Sequence, residues 1–300
     1  MSHGSVTAFA IVLVLAASAG CTQDGHDDAA RKAIGFLLTQ QNGDGGFSAQ
    51  AGGDSDLSTS AWVALALGAT DTTGPTRDRL LAYLGSRADE VDANATGSFS
   101  ATNAAALLVV AGYALDDPPR AFAGTDPGGR LEADAKNQSL GFNEKIFVTG
   151  ALGRAGRAPA AAALVTEIKV ALDDADHEFL AKDAWFRANA ILALIAAGED
   201  DDSEAMRRWA QGLLPFQEHD AGFRGSLEYR PDASTTASVV AVLRQVPFVY
   251  SHEREAGSAF LETLRQPDGS VKFSRDADFA RIKTTAEAVL GWTGKGPFQE

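Results

Sequence analysis

A single cysteine, Cys21, stands among the 300 residues, so neither an intramolecular disulfide nor a thiolate metal cluster can be built from this chain. Basic residues are in short supply as well. Lys and Arg number 26 against 40 Asp and Glu, a formal charge of −14. A surface of that sign repels a phosphate backbone, and the densest basic pair, Arg207-Arg208, comes just after Asp200-Asp201-Asp202, so nucleic-acid binding is disfavoured. The five histidines, His3, His26, His177, His219 and His252, show no H-x-x-x-H spacing. The apolar run Val6 to Ala17 is too short to span a bilayer as a helix. What is present is ordinary for a globular chain: 45% apolar and 22% charged residues, long enough to bury a sizeable core.

The run Val6 to Ala17 has signal-peptide length, and the small residues Ser18-Ala19-Gly20 lead from it to Cys21. That order resembles the lipobox of prokaryotic lipoproteins, whose cysteine is acylated after cleavage. Residues 1–21 therefore read as a signal peptide and 22–28 as a polar, acidic tether, with a single domain over 29–300. On this reading the mature protein lives outside the cytoplasm, anchored to the membrane through a lipidated Cys21.

Internal similarity governs the fold expectation. One unit recurs: an amphipathic helix, a Gly-rich turn ending in an aromatic, then a second helix rich in small and apolar residues. The clearest copy, Ala29 to Ala69, contains Gln41-Asn42-Gly43-Asp44-Gly45-Gly46-Phe47 and a second helix opening at Asp56. Gln217 to Phe223 followed by Asp232-Ala233-Ser234 repeats it, as does Gln266-Pro267-Asp268-Gly269-Ser270 with Phe273 before Thr284-Thr285-Ala286-Glu287. Three weaker copies centre on Phe99, Phe142 and Phe179. The second helices are expected to begin near 56, 102, 144, 183, 234 and 284, which makes six helical hairpins.

Glycine supplies the positive φ needed where the chain reverses, and Asp, Ser or Thr caps the next helix. Thr284 and Glu287 have capping-box spacing. Second helices that are small and apolar almost all round belong inside, and the amphipathic first helices outside. An open array needs modified terminal repeats to cover its ends, but here the first and last copies are the most regular. The expected fold is all-α, a closed α/α toroid (an α6/α6 barrel). The stretch Asp116 to Asp134, least like the repeat, is either a third outer helix or a functional loop.

Gln41-x-x-Asp44-Gly45-Gly46-Phe47 and its two further copies resemble the Q-x-x-D-G-x-W/F motif of the prenyltransferase and squalene-oxidase repeat family. The resemblance covers nearly the whole mature chain and implies the same toroid, with the motif in a structural role. It implies three possible kinds of function. Class II terpenoid cyclases protonate an olefin with an Asp of a D-x-D-D motif, absent here, with Asp173-Asp174-Ala175-Asp176 the nearest string. Protein prenyltransferases hold zinc with Asp, Cys and His, which a chain whose only cysteine is Cys21 lacks; no metal and no cofactor is expected. The third kind binds a ligand or partner without catalysis, and the leader and missing motifs lead to that expectation.

The expected protein is therefore a secreted or lipid-anchored toroid that binds an amphipathic small molecule or a protein partner at its central cavity. The alternatives are an isoprenoid-acting enzyme related to terpene cyclases or prenyltransferases, and a structural surface module. Inner-helix N-termini surround one mouth of the cavity and favour anions. The residues expected to bind a ligand there are Trp62, Asn103, Lys145, Phe147, Trp185, Arg187, Lys283 and Trp292, a rim of mixed charge over an aromatic floor. Long cations on mostly buried helices need partners, for which Glu144, Asp183 and Glu287 are at hand. Were the chain an enzyme, Asp183 and Asp232 are the candidate acids, recognisable by a raised pKa. The competing reading of Asp56, Asp232 and Thr284 is as helix caps.

Overall fold

Small apolar side chains leave some helices of this chain no solvent-facing side. In Ala101–Ala114, every residue from Thr102 to Gly112 is buried. Such helices must be packed all round, and the computed structural model, which describes residues 23–88, 91, 100–115, 126–136, 139–226, 230–247 and 250–299, arranges them as the inner layer of a ring. The inner helices are α2 (Leu57–Ala69), α4 (Ala101–Ala114), α6 (Phe142–Arg154), α8 (Ala184–Ala196), α10 (Ala233–Gln245) and α12 (Arg281–Thr293). Each packs on the next, and α12 packs back on α2, so the ring is closed. Gly68 and Gly153, near the ends of α2 and α6, let the neighbouring backbones at Ala114 and Ala196 approach more closely than a side chain would allow.

The outer layer is α1 (Gln23–Leu38), α3 (Pro75–Ser86), α5 (Pro127–Asp134), α7 (Ala162–Asp173), α9 (Glu204–Gln211) and α11 (Ser251–Leu264). These are the amphipathic helices. In α9 only Met206, Trp209 and Ala210 are buried, while Arg207 pairs with Asp202 and Arg208 with Asp173 at the surface. The fold is thus the expected α/α toroid. Its inner helices begin at Leu57, Ala101, Phe142, Ala184, Ala233 and Arg281, each within three residues of the place that the repeat put them. The ambiguous stretch is resolved for Pro127–Asp134, which is the third outer helix α5; residues 116–125 lie outside the described residues.

The turn motif is structural in detail. Gln41 Nε2 donates to Gly45 O (2.9 Å) inside the turn and to Thr76 O (2.8 Å) in α3, and Gln217 does the same to Ala221 O and Glu253 O (both 3.1 Å). Asp44 Oδ1 accepts from the Gly46 amide (3.0 Å), and Phe47 is fully buried with its amide donating to Ser60 Oγ (2.9 Å). In the last copy the register differs from expectation. Asp268 takes the place of Asp44, with its Oδ1 accepting from Ser270 N (2.9 Å). The buried end of that turn is then Val271, whose amide donates to Thr285 Oγ1 (2.9 Å). Phe273 lies further on and stacks against Phe279 (4.3 Å between centroids).

Two further expectations need correcting. Residues 23–28 are no tether: they open α1, with His26 buried and its Nε2 3.0 Å from Glu255 Oε2 of α11. Thr284 is not a cap, because α12 starts earlier, at Arg281, after Ala280 in left-handed conformation (φ 48°). Cys21 and the leader that it ends lie outside the described residues. Among the described residues no helix is long and apolar enough to cross a membrane.

Candidate functional site

Asp183 and Asp232 are the N-caps of the adjacent inner helices α8 and α10. Asp183 Oδ1 accepts from the amides of Trp185 (2.8 Å) and Phe186 (3.2 Å). Asp232 Oδ1 accepts from the Thr235 amide (2.8 Å), and its Oδ2 from the Thr235 hydroxyl (2.9 Å). Capping is the role that the sequence favoured for Asp232, and both residues fill it. It leaves Asp183 Oδ2 without a backbone partner in the cap.

The loop before α10 brings the two acids together. Gly225 O accepts from the Ala184 amide (2.7 Å), and Asp183 pairs with Ser226 in a short antiparallel bridge. A methyl carbon on Gly225 would lie 3.9 Å from Asp183 Oδ2, 3.9 Å from Asp232 Oδ2 and 3.4 Å from Thr235 Oγ1. Glycine therefore keeps open a small space onto which both carboxylates converge. Sequence reasoning did not single out Gly225, which stands outside the turn motif in the loop between Phe223 and Asp232 and carries no local signal of its own.

The environment disfavours charge on both acids. Burial raises the Asp183 carboxyl above its usual range, against the lowering effect of the Phe186 and Trp185 amides. Asp232 is pushed up to about 6, mainly by burial and further by the charges of Glu287 and Asp183, while the hydrogen bonds from Thr235 work the other way. Burial is the largest cause for each, the ordinary behaviour of a carboxyl in a low-dielectric site. Glu287, itself buried, ion-pairs with Lys283 (3.3 Å), whose Nζ stands 5.6 Å over the face of Trp62. Acid cluster, cation and aromatic face therefore follow one another around this mouth of the ring.

Aromatic side chains continue it. Phe147 and Trp185 are 6.3 Å apart between centroids, and Trp185 meets Phe186 edge-on at 5.1 Å. Phe186 in turn packs on the partly exposed Phe179 (5.3 Å). Asn103 and Asn189 are buried on α4 and α8, each with an Oδ1 that meets no donor of the protein. Helical spacing sets Asn189 one turn below Trp185, on the same side of α8.

Three residues expected at the mouth are elsewhere. Lys145 pairs with Glu167 of α7 (2.6 Å), not with Glu144, which accepts from the Gly141 amide instead (2.7 Å). Arg187 turns outward: its Nε donates to Trp209 O (3.0 Å) and its NH1 to Leu180 O (3.3 Å), so it is no partner of Asp183. Trp292 is fully buried between layers, with Nε1 donating to Ser258 O of α11 (3.5 Å). The physical reason is common to all three. An inner helix presents one face to the lumen and the others to its neighbours, and the phase of each helix is set by tertiary packing. Among the described residues no group of three His, Cys, Asp or Glu side chains is placed to hold a metal ion.

The chain matches the prenyltransferase alpha-alpha toroid domain model over residues 3–143 and 175–290, more than half of its length, and belongs to that family. A search of curated proteins finds none that matches. Among solved structures it is similar to the type II terpene cyclase MstE from Scytonema in its apo form. The TM-score is 0.66 at 13% identity, covering 91% of this chain and 98% of that one. A variant of MstE in complex with geranylgeranyl dihydroxybenzoate, its substrate, is similar at TM-score 0.63 and 14% identity, covering 90% and 97%. A glycosidase is similar at TM-score 0.65 and 10% identity, covering 92% and 98%. At these identities the likeness is one of fold. It nevertheless overturns the expectation of a binding module without catalysis, because these toroids of the same extent are enzymes, one of them captured with substrate and with product. That expectation leaned on the missing D-x-D-D string, whereas the structure assembles carboxylates from separate repeats.

Proposed function

We propose that this protein is an isoprenoid-acting enzyme of the cyclase kind, with Asp232 as the acid that starts the reaction. The observation that carries the reading is a carboxyl pushed up to about 6, buried among other carboxylates at the mouth of a ring that presents aromatic faces. A carboxyl holds its proton up to about pH 6 only where the charged form is penalised, and burial beside Asp183 and Glu287 supplies that penalty.

In this reading protonated Asp232 gives its proton to one carbon of a trisubstituted double bond. The other carbon becomes a tertiary cation, and the next double bond of the same chain closes on it. The last cation gives up a proton to a carboxylate of the cluster or to water, so that substrate and product are isomers. Ring faces attract cations, and Trp62, Phe147 and Trp185 offer them; Trp62 already has the Lys283 ammonium above it. Two acids that meet over Gly225, Asp232 buried and Asp183 half-buried, also suit a second reading, glycoside hydrolysis, which needs an acid and a base flanking one bond.

One experiment separates the two. The chain is incubated with geranylgeranyl dihydroxybenzoate and, separately, with an aryl glucoside. A product of unchanged mass and altered retention, lost in Asp232→Asn, is expected. Glucose release without isomerisation would transfer the role of the acids to the second reading, and neither product would sink both.

We also infer that Cys21 carries a lipid anchor outside the cytoplasm, supported by the order of the apolar run, Ser18-Ala19-Gly20 and Cys21. Cys21→Ser is expected to release the protein from the membrane fraction, and an unchanged distribution would refute the anchor.

A further inference from the structure

The segment that follows the last inner helix runs back into the ring. Gly294, at φ 74°, turns the chain at the end of α12, and Gly296, Pro297 and Phe298 are buried although they belong to no helix. Phe298 packs edge-on against Phe147 of α6, with centroids 5.6 Å apart, and its ring fills the space that a side chain at Gly150 would occupy. A methyl on Gly296 would sit 2.8 Å from Leu192 of α8. Gln299 Oε1 accepts from the Gly296 amide (2.7 Å) and from Gln245 Nε2 of α10 (2.6 Å). Gly296 and Pro297 share a cavity of about 10 Å³ with Trp62 of α2 and Glu287 and Leu290 of α12. A segment that meets five inner helices at once lies on the axis of the ring.

On its other side a cavity of about 420 Å³ opens at the C-terminal ends of α2, α4 and α6, with Leu65, Tyr113 and Gln299 in its wall. Gly296 and Leu290 line both spaces, so the segment is the partition between the open cavity and the lumen below Trp62 and Glu287. Its hold is apolar rather than ionic. Among the described residues none of its side chains forms an ion pair, and neutral hydrogen bonds and the burial of Pro297 and Phe298 keep it in place. Glycines stand at its base and in its middle, where a hinge needs backbone freedom.

We propose that Gly294–Gln299 is a hinged plug standing in the ligand site of the barrel, and that the apolar chain of an isoprenoid takes the place of Phe298 beside Phe147, Trp185 and Trp62. The choice of ligand class rests on the cyclase reading above. The placement rests on the plug itself: what fills the site now is an aromatic hydrocarbon in an apolar wall, and a longer apolar chain would bury more surface there. Withdrawal of the plug joins the two spaces into one tunnel, leading from the open cavity toward the carboxylates at the opposite mouth. An apparent affinity is lowered by the fraction of molecules whose site is occupied by the plug, so removing the plug raises it.

The test is calorimetric binding of farnesol to the full chain, to a chain ending at Gly294 and to Gln299→Ala. The last keeps the whole backbone, removes only the side-chain hydrogen bonds of Gln299 to Gln245, Gly296 and Leu192, and guards against misfolding of the truncated form. Farnesol is expected to bind the truncated chain at least tenfold more tightly than the full chain, with Gln299→Ala in between. Bound to the full chain, it is expected to speed amide hydrogen exchange at 295–299. Equal affinities in folded Gln299→Ala and full chain, or unchanged exchange on binding, would overturn the plug. Tighter binding with no turnover in any form would sink the cyclase reading and leave the plug standing. Turnover in the full chain that truncation leaves unaltered would do the reverse.

Discussion

Asp183 and Asp232, the caps of neighbouring inner helices, direct their Oδ2 atoms to one place over Gly225. A capping carboxylate ordinarily stabilises its helix by accepting from free amides and by meeting the positive end of the helix dipole. Here burial and proximity work against that stabilisation, and the protein holds two acids where two charges are unwelcome. Such conflict marks functional sites in general, and it yields the first two predictions.

Asp232→Asn keeps an oxygen that can accept from the Thr235 amide and removes the proton donor. The helix is expected to stay capped, and turnover to fall by about 100-fold or more, the usual worth of a general acid. In the wild type the rate is expected to rise as pH falls through about 6, where Asp232 takes up its proton. Rates between pH 5 and 8, with circular dichroism of the variant, check both; a flat profile would remove Asp232 from the acid role.

The same variant reports on stability. The Asp232 carboxyl titrates near 3.8 in its ordinary state and at about 6 when folded. Between those values the folded chain holds a proton that the unfolded chain has shed. Its contribution is therefore fully present below about pH 4 and is lost as pH rises through 6, a drop of about 3 kcal/mol. Asp44, Asp173 and Asp278, held below their ordinary values, work in the opposite sense and are shared by both proteins. The difference between the two melting temperatures isolates the effect. Asp232→Asn is expected to gain over wild type as pH goes from 4 to 7 and to hold the gain above that, and a gain confined to acid pH would contradict the assignment.

In the motif turns, Gly45 and Gly269 have φ 90°, and Ala221 occupies the matching place at φ 70°. An L-residue there is strained, so Ala221→Gly is expected to stabilise the protein by about 0.5–1 kcal/mol net of glycine's entropy. The reverse change, Gly45→Ala, meets both the strain and Arg79 O, 2.6 Å from the added carbon, and is expected to cost about 2 kcal/mol or more. Denaturant midpoints at constant slope decide the matter; a stabilised Gly45→Ala would show that the turn relaxes.

His26 ties α1 to α11 across the seam where the first outer helix lies against the last inner one, α12. It is buried, and its removal leaves a void and takes the partner from Glu255 Oε2, while Oε1 keeps Arg254. His26→Ala is expected to cost about 2 kcal/mol, and amide exchange is expected to quicken first in α1. Uniform quickening over all inner helices would instead make the seam a part of the cooperative core.

The sequence by itself determined the ring. Six recurrences of small, apolar helices demanded an inner layer buried on all sides, and regular end copies demanded closure, since helix period, turn glycines and caps are local properties. It also carried both acids to the right helix ends, because a cap is recognisable beside its helix. Tertiary structure decided everything that depends on the phase of one helix against another. That phase turned Lys145, Arg187 and Trp292 away from the lumen, set Val271 rather than Phe273 in the last turn, and folded 23–28 into α1. It also brought Asp183 and Asp232 to one glycine and drew Phe298 onto the axis. A repeat specifies what each hairpin buries, but which side chains face a common centre is settled only when six of them close, because that choice belongs to no hairpin alone.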